Sequence, residues 1–482
     1  MVFSSHVFLF YFLPLVMVIY YLTPMRWKQP WLTAMSYIFY GWANPWFVLI
    51  MAFSTVHDYI FGLMISGRWN PIGTIEKPDA TGFISSPLQR KVAVTLSIVL
   101  NLGLLGFFKY FVFVEQNLNW VLQTFGYDTF ALYQVTLPVG ISFYSFQSMS
   151  YAVDLYRGHA KPARSLLDYS CYVALFPQLV AGPIVRYSDL AEQLSVRNHT
   201  LDKFARGCVF FILGFAKKIV LANPMGEVAD TAFNAGGLRW FDAWAGVGAY
   251  SFQIYFDFSG YSDMAIGLGM MFGFNFPKNF DSPYISDSIT NFWQRWHMSL
   301  STWLRDYLYI ALGGNRKGPK RTYVNLAAVM LLGGLWHGAQ WHFVIWGAIH
   351  GTMLGVERAI GKTSFYAWLP RYLKITVTYI IVLFTWVFFR AVDFGSAMRY
   401  CGAMIGIDSH TSGAQLVGST IYTFDHFVIF GICAYVVWLC RQTWDHAESV
   451  TFRKVAILIP LFAYSVFVMW TQSFNPFLYF QF

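Results

Sequence analysis

Apolar runs of about the length that crosses a bilayer recur throughout the sequence, among them Val7 to Leu22, 46–66, 93–114, 370–391 and 455–471. A helix needs roughly 20 predominantly apolar residues to span a hydrocarbon core. Of the 482 residues, 56% are hydrophobic, 20% aromatic and only 12% charged, which is far too apolar for a soluble fold. The chain is therefore read as an all-α polytopic membrane protein with roughly ten to thirteen membrane-embedded helices, broken or re-entrant ones included. With no internal repeat, linker or soluble domain in view, residues 1–482 are taken as one membrane domain. N-terminal helices occupy 1–136, a core 137–357 and C-terminal helices 358–482.

The net charge of +9 does not indicate a nucleic-acid partner, because the basic residues sit in short clusters between apolar runs rather than along one polar face. In that position they set topology and meet anionic lipid headgroups. Arg26 and Lys28, then Arg68, Lys77, Arg90 and Lys91 in the loop 67–92, are assigned to the cytoplasm, which places the N-terminus outside. The connection 115–136 has no Lys or Arg and should face outward, and Arg157, Lys161 and Arg164 return to the cytoplasmic side. The first run carries no small-residue cleavage site and is expected to be retained as a spanning helix. Asn44-Pro45 should break the helix between 31–43 and 46–66. The run 166–187 carries Pro177 and Gly182-Pro183, so it reads either as a span or as a re-entrant helix. Five cysteines lack paired metal-ligand spacing and read as buried thiols.

Two stretches concentrate polar groups in apolar surroundings. The run 243–274 holds Asp257, Ser259 and Asp263, and carboxylates at membrane depth require basic partners or a water-filled cavity. The stretch from Asp281 to Gly351 opens on a tryptophan-rich segment with His297 and closes on an apolar one with His337. In the first, Trp293, Trp296, Leu300, Leu304 and Tyr307 recur at helical spacing while Gln294, Arg295, Ser301 and Arg305 fall elsewhere, predicting one helix of mixed character. In the second, Gly334 and Gly338 flank His337, so that the backbone is expected to come close to a ligand. A neutral imidazole can take the proton of a hydroxyl as its oxygen attacks a thioester or ester carbonyl. His337, His342 and His350 do not share one helical face and no carboxylate joins them before Glu357, so no metal site is expected. His342 and His350 read as structural. There is no GxSxG elbow, no Walker loop and no dinucleotide fingerprint.

The segments LPVGISFYSFQSMSYAVDLYRG (137–158), YVALFPQLVAGPIVRY (172–187), YFDFSGYSDMAIGLGMMFGF (255–274), FWQRWHMSLSTWLRDYLYIALGGNR (292–316) and LLGGLWHG (331–338) run in order and resemble the membrane-bound O-acyltransferase superfamily, in particular its bacterial alginate O-acetyltransferase-like branch. The resemblance thins after about Gly361. It implies a helical wall pierced by a funnel or tunnel, in which His337 is the catalytic residue and His297 assists. It also implies acetyl transfer from cytoplasmic acetyl-CoA, with no bound cofactor, toward an exported polysaccharide such as alginate or cellulose, or a peptidoglycan sugar. A periplasmic acetyltransferase partner and a polysaccharide synthase or export complex in a bacterial inner membrane belong to the same expectation. Around the histidines, Arg295 and Arg305 are candidates to pair with donor phosphates or with Asp306, while Trp296, Trp303 and Trp336 are candidates to wall the tunnel and Asp257, Ser259 and Asp263 to shape the cavity. A transporter or flippase, or a non-catalytic scaffold of an export complex, is the competing expectation.

Overall fold

Every regular element among the described residues is helical, apart from one isolated bridge pairing Thr74 with Ser85. The computed structural model describes residues 1–75, 77–180, 182–361, 363–407, 414–472, 475 and 478, and of 414–416 only the backbone. Ala181, inside the proline-broken run, lies outside them. Four described helices are long and apolar enough to cross a membrane by length and composition: Phe47–Ser66, Pro87–Thr124, Arg371–Arg390 and Phe452–Thr471. Two shorter apolar ones are Phe8–Leu22 and Phe424–Trp438. Other runs are interrupted or carry polar faces.

The chain divides into two compact units. Residues 1–204 and 268–276 form the first. It contains α1 (Phe8–Leu22), α2 (Met25–Gly41), α3 (Phe47–Ser66), α4 (Pro87–Thr124), α5 (Ile141–Arg157), α6 (Leu166–Ala174) and α7 (Tyr187–Ser195). The helix break at Asn44-Pro45 is where the sequence places it. The 166–187 run is interrupted: α6 ends at Ala174, a single turn covers Phe176–Leu179, and the described residues from there to α7 are non-helical. α4, by contrast, continues past the 93–114 run to Thr124, through a widened π turn at Gly106–Tyr110. Adding residues to an existing helix costs little once it is nucleated, so Glu115 to Thr124 extend it despite their polarity. The first half of the connection expected to be a loop is therefore helix.

Within α3 and α4 a polar knot replaces apolar contact. The Asp58 carboxylate accepts from Ser97 Oγ at 2.5 Å and Asn101 Nδ2 at 2.7 Å, and His57 Nε2 lies 3.3 Å away. Asp58, Ser97 and Asn101 are fully buried. Polar groups inside an apolar environment persist only when they satisfy one another, and here they tie the two helices together.

The second unit comprises 205–267 and 277–482. Its helices are α8 (Leu201–Ala216, whose first turn counts in the first unit), α9 (Asn223–Phe233), α10 (Trp240–Met271, whose last turn does likewise), α11 (Ile289–Arg295), α12 (Met298–Trp303), α13 (Gly318–His337), α14 (Trp341–Ala359), α15 (Arg371–Arg390), α16 (Phe394–Met404), α17 (Ala414–Ile421), α18 (Phe424–Trp438) and α19 (Phe452–Thr471). The single helix predicted from the spacing of Trp293, Trp296, Leu300, Leu304 and Tyr307 is in fact two, α11 and α12, separated at Trp296-His297. His297 adopts φ 45°, one of two positive-φ residues other than glycine among those described. That conformation costs an L-residue about 1–2 kcal/mol, so the surroundings must hold it in place.

Candidate active site

Two consecutive lysines answer the carboxylates of α10. Lys218 Nζ lies 2.6 Å from Asp257 Oδ1 with both side chains 1% exposed, and Lys217 Nζ lies 2.7 Å from Asp263 Oδ2. Thr443 accepts from Lys217 at 2.8 Å and donates to Asp263 at 2.7 Å, while the Leu478 N–H donates to Asp257 Oδ2 at 3.1 Å. The sequence demands such partners for the carboxylates. It does not single out Lys217-Lys218. Both lysines open the π turn Lys217–Ala222 that continues α8, where the wider backbone changes the helical spacing. Ser259, also buried, makes no hydrogen bond among the described residues.

His297 is held by Asn279. The Ser299 N–H and the Ser299 hydroxyl reach Asn279 Oδ1 at 3.2 and 2.9 Å, and His297 Nδ1 reaches the same oxygen at 3.1 Å. A backbone N–H can only donate, so the atom facing all three is the acceptor of the amide, and Nδ1 must therefore carry the imidazole proton. Nε2 is left with a bare lone pair and has no hydrogen-bond partner among the described residues. The Met298 N–H to Asn279 carbonyl bond, 2.9 Å, fixes the backbone beside the left-handed residue. Phe258 meets the ring edge-on at a centroid distance of 4.6 Å, and Trp336 lies at 6.2 Å.

α11, which leads into His297, is clamped from below. Both Glu357 oxygens, fully buried on α14, accept from its first turn: Ile289 N–H at 2.8 Å, Thr290 N–H at 2.8 Å and Thr290 Oγ at 2.6 Å. A carboxylate suits the free N–H groups and positive dipole end of a helix.

His337 ends α13 and is 7% exposed. Its ring stands between Trp346 and Phe389, at centroid distances of 5.3 and 5.2 Å, and next to Trp336 at 5.0 Å. His337 and Trp346 line two cavities. One, of about 20 Å³, is bounded further by Ile254, Phe258, Trp296, Trp386, Phe389 and Leu478. The other, of about 140 Å³, is apolar except for Ser301 and His337 itself and runs along Leu300, Leu304, Val329, Met330 and Gly333. The glycines beside His337 do not open space for a ligand, contrary to the sequence reading. A Cβ on Gly334 would meet Phe343 O at 2.2 Å, one on Gly347 would meet Met330 O at 2.3 Å, and one on Gly338 would meet the Phe343 ring at 2.1 Å. They let the α13 and α14 backbones touch.

The remaining candidates separate. Trp296 lines the small cavity and Trp336 packs between the two histidines. Trp303 meets the tilted Tyr307 ring at a centroid distance of 5.2 Å and lines neither cavity. Asp257, Ser259 and Asp263 likewise line neither; Ile254 and Phe258 of the same helix do. Arg295 donates to the Asp281 carbonyl and to Asn291, both at 3.0 Å. Arg305 pairs with Asp306 at 2.6 Å on a side chain 63% exposed, so of the two expected partners it has the carboxylate. His350 accepts from Trp293 Nε1 at 3.2 Å and faces Thr385 Oγ1 at 3.2 Å, and His342 bonds the Phe388 carbonyl and Gln340, both in structural roles. Among the described residues no group of three or more His, Cys, Asp and Glu is placed to hold a metal ion. Sequence reasoning missed Asn279, Glu357, Trp346, Trp386 and Phe389. A polar Asn279 two residues from the Asp281 boundary carried no periodic signal.

Residues 93–394 match the model of the membrane-bound O-acyltransferase family. The chain is 43% identical to the probable alginate O-acetylase of Azotobacter vinelandii over the full length of both. It is 35% identical to a peptidoglycan O-acetyltransferase of Helicobacter pylori, covering 85% of this chain and 80% of that one. A teichoic acid D-alanyltransferase of Streptococcus thermophilus shares 31% identity over 46% of this chain and 57% of its own. The ordered segments, the helical architecture and these matches agree, and the chain belongs to the membrane-bound O-acyltransferase family.

Proposed function

We propose that this O-acyltransferase passes acetyl groups from cytoplasmic acetyl-CoA across a bacterial inner membrane for O-acetylation of an exported polysaccharide, with alginate the acceptor its full-length relatives' names favour. The observation that carries the reading is the placement of His337 at the junction of two cavities, beside a His297 whose Nε2 lone pair is free. The hydroxyl oxygen attacks the thioester carbonyl as a histidine nitrogen takes its proton. The carbon–sulfur bond then breaks and the proton passes to the leaving thiolate, giving an acetate ester and the CoA thiol. His337 acts on the hydroxyl, and His297 orients it or assists. A periplasmic acetyltransferase partner completes transfer within a synthase and export complex.

The test compares polymer-bound acetate in cells carrying the wild-type chain or His337→Ala. Removing a general base lowers transfer by roughly 10²–10⁴-fold, so polymer should still be exported but without ester groups. Substantial acetate retained by the variant would point to a transporter, and loss of export itself to a scaffold.

A further inference from the structure

Within the first unit, four basic side chains gather where α1 ends and the last turn of α10 closes, with no carboxylate among the described residues paired to any of them. Lys28 Nζ donates to the Tyr20 carbonyl at 2.6 Å and lies 4.4 and 5.1 Å from the Tyr20 and Tyr21 ring centres. Lys203 Nζ donates to the Gly273 carbonyl at 2.6 Å. The Tyr20 hydroxyl donates to the Phe272 carbonyl at 2.8 Å, so His199 Nε2, 2.9 Å from the same oxygen, must be the donor in that contact. Lys28 and Lys203 are thereby explained as cations at helix C-termini.

Arg197 is not explained in that way. It is 7% exposed, its guanidinium lies 4.8 Å from the Phe274 ring centre, and its Nε and Nη1 have no hydrogen-bond partner among the described residues. The Cys171 thiol beside it is only a weak acceptor, and Asp168, engaged by Gln29, forms no ion pair with it among the described residues. A buried guanidinium with two idle N–H groups costs several kcal/mol unless an anion completes it. The field it joins is registered by His199, whose imidazole is held below its ordinary value by burial and then by the charges of Lys28, Arg197 and Lys203.

We propose that Arg197, with Lys28, Lys203 and His199 around it, forms a binding site for a phosphate-bearing anion, either a lipid headgroup or a free phosphate. A planar fork of N–H donors matches phosphate oxygens, and the flanking lysines supply charge. The site rests on residues of the first unit and is independent of the acyl-transfer reading.

The full chain, delipidated in detergent, is offered phosphatidylglycerol, phosphatidylcholine or inorganic phosphate. Bound lipid is read by native mass spectrometry and thermal unfolding is followed alongside. A headgroup site retains phosphatidylglycerol over phosphatidylcholine and unfolds later with it. A soluble-anion site responds to inorganic phosphate instead. In either case Arg197→Gln weakens the response by about tenfold or more, the worth of a hydrogen bond to a charged group, and Lys203→Gln, at a half-buried helix start, weakens it less. Without any anion, Arg197→Gln unfolds no earlier than wild type, because it removes an uncompensated buried charge. The proposal is overturned if neither probe binds, or if both bind equally well to wild type and Arg197→Gln.

Discussion

At the scale of single residues, the site depends on which nitrogen of His297 holds the proton. Asn279 Oδ1 decides this because Ser299 N–H identifies it as the acceptor, and Nε2 is left without a proton. Asn279→Ala should lower transfer about tenfold through loss of one well-placed hydrogen bond, whereas Asn279→Asp, which still accepts, should keep more activity. Comparing acetate transfer by the two variants checks this, and equal losses would show that Asn279 merely fills space. The histidines were legible as residues, since an ionisable group in an apolar run stands out. Their tautomers and the Asn279 contact were not, because they arise between positions 18 apart in sequence that a helix break brings together.

At the scale of elements, charge pairing and loop ties set what each helix tolerates. Lys218→Met leaves Asp257 buried without its cation and should destabilise the protein by about 3–5 kcal/mol. Lys218→Met combined with Asp257→Leu should recover most of that loss, because an apolar pair carries no desolvation cost. Thermal unfolding of the two variants in detergent distinguishes them. In the first turn of α4, the Arg90 guanidinium donates to Asp79 of the preceding loop at 2.5 Å and holds its carboxyl well below the usual carboxylate range. Because the folded value is depressed, the stabilisation is fully present above the ordinary carboxylate value and is lost as pH falls from there through the depressed folded value. Acidification should therefore lower the protection of amides across residues 67–86, measured against their intrinsic exchange rate at each pH, in wild type and change it less in Asp79→Asn. The sequence indicated helix for α11 and α12 by period, yet the pattern cannot show a left-handed residue, which local hydrogen bonds and packing impose.

At the scale of the whole molecule, charge asymmetry in the loops is the basis for orientation. A cysteine placed at Ser5 should react with a membrane-impermeant thiol reagent from outside the cell, and one at Ser165 should not; the reverse labelling would invert the proposed topology. The same loops read as cytoplasmic in sequence include Arg90, which in the structure is buried and paired with Asp79 rather than spread on a headgroup surface. Apolar run length and composition by themselves determined that the chain is helical and membrane-embedded, because unsatisfied backbone groups are too costly in lipid for an irregular chain. Ordered motifs determined the family and singled out His297 and His337. Only tertiary structure decided that Lys217 and Lys218 neutralise α10, that Gly334 and Gly347 serve helix contact, and that His337 stands between two cavities. Those outcomes depend on which side chains meet across helices distant in sequence, and a one-dimensional pattern carries the period of each helix but not the rotation of one against another.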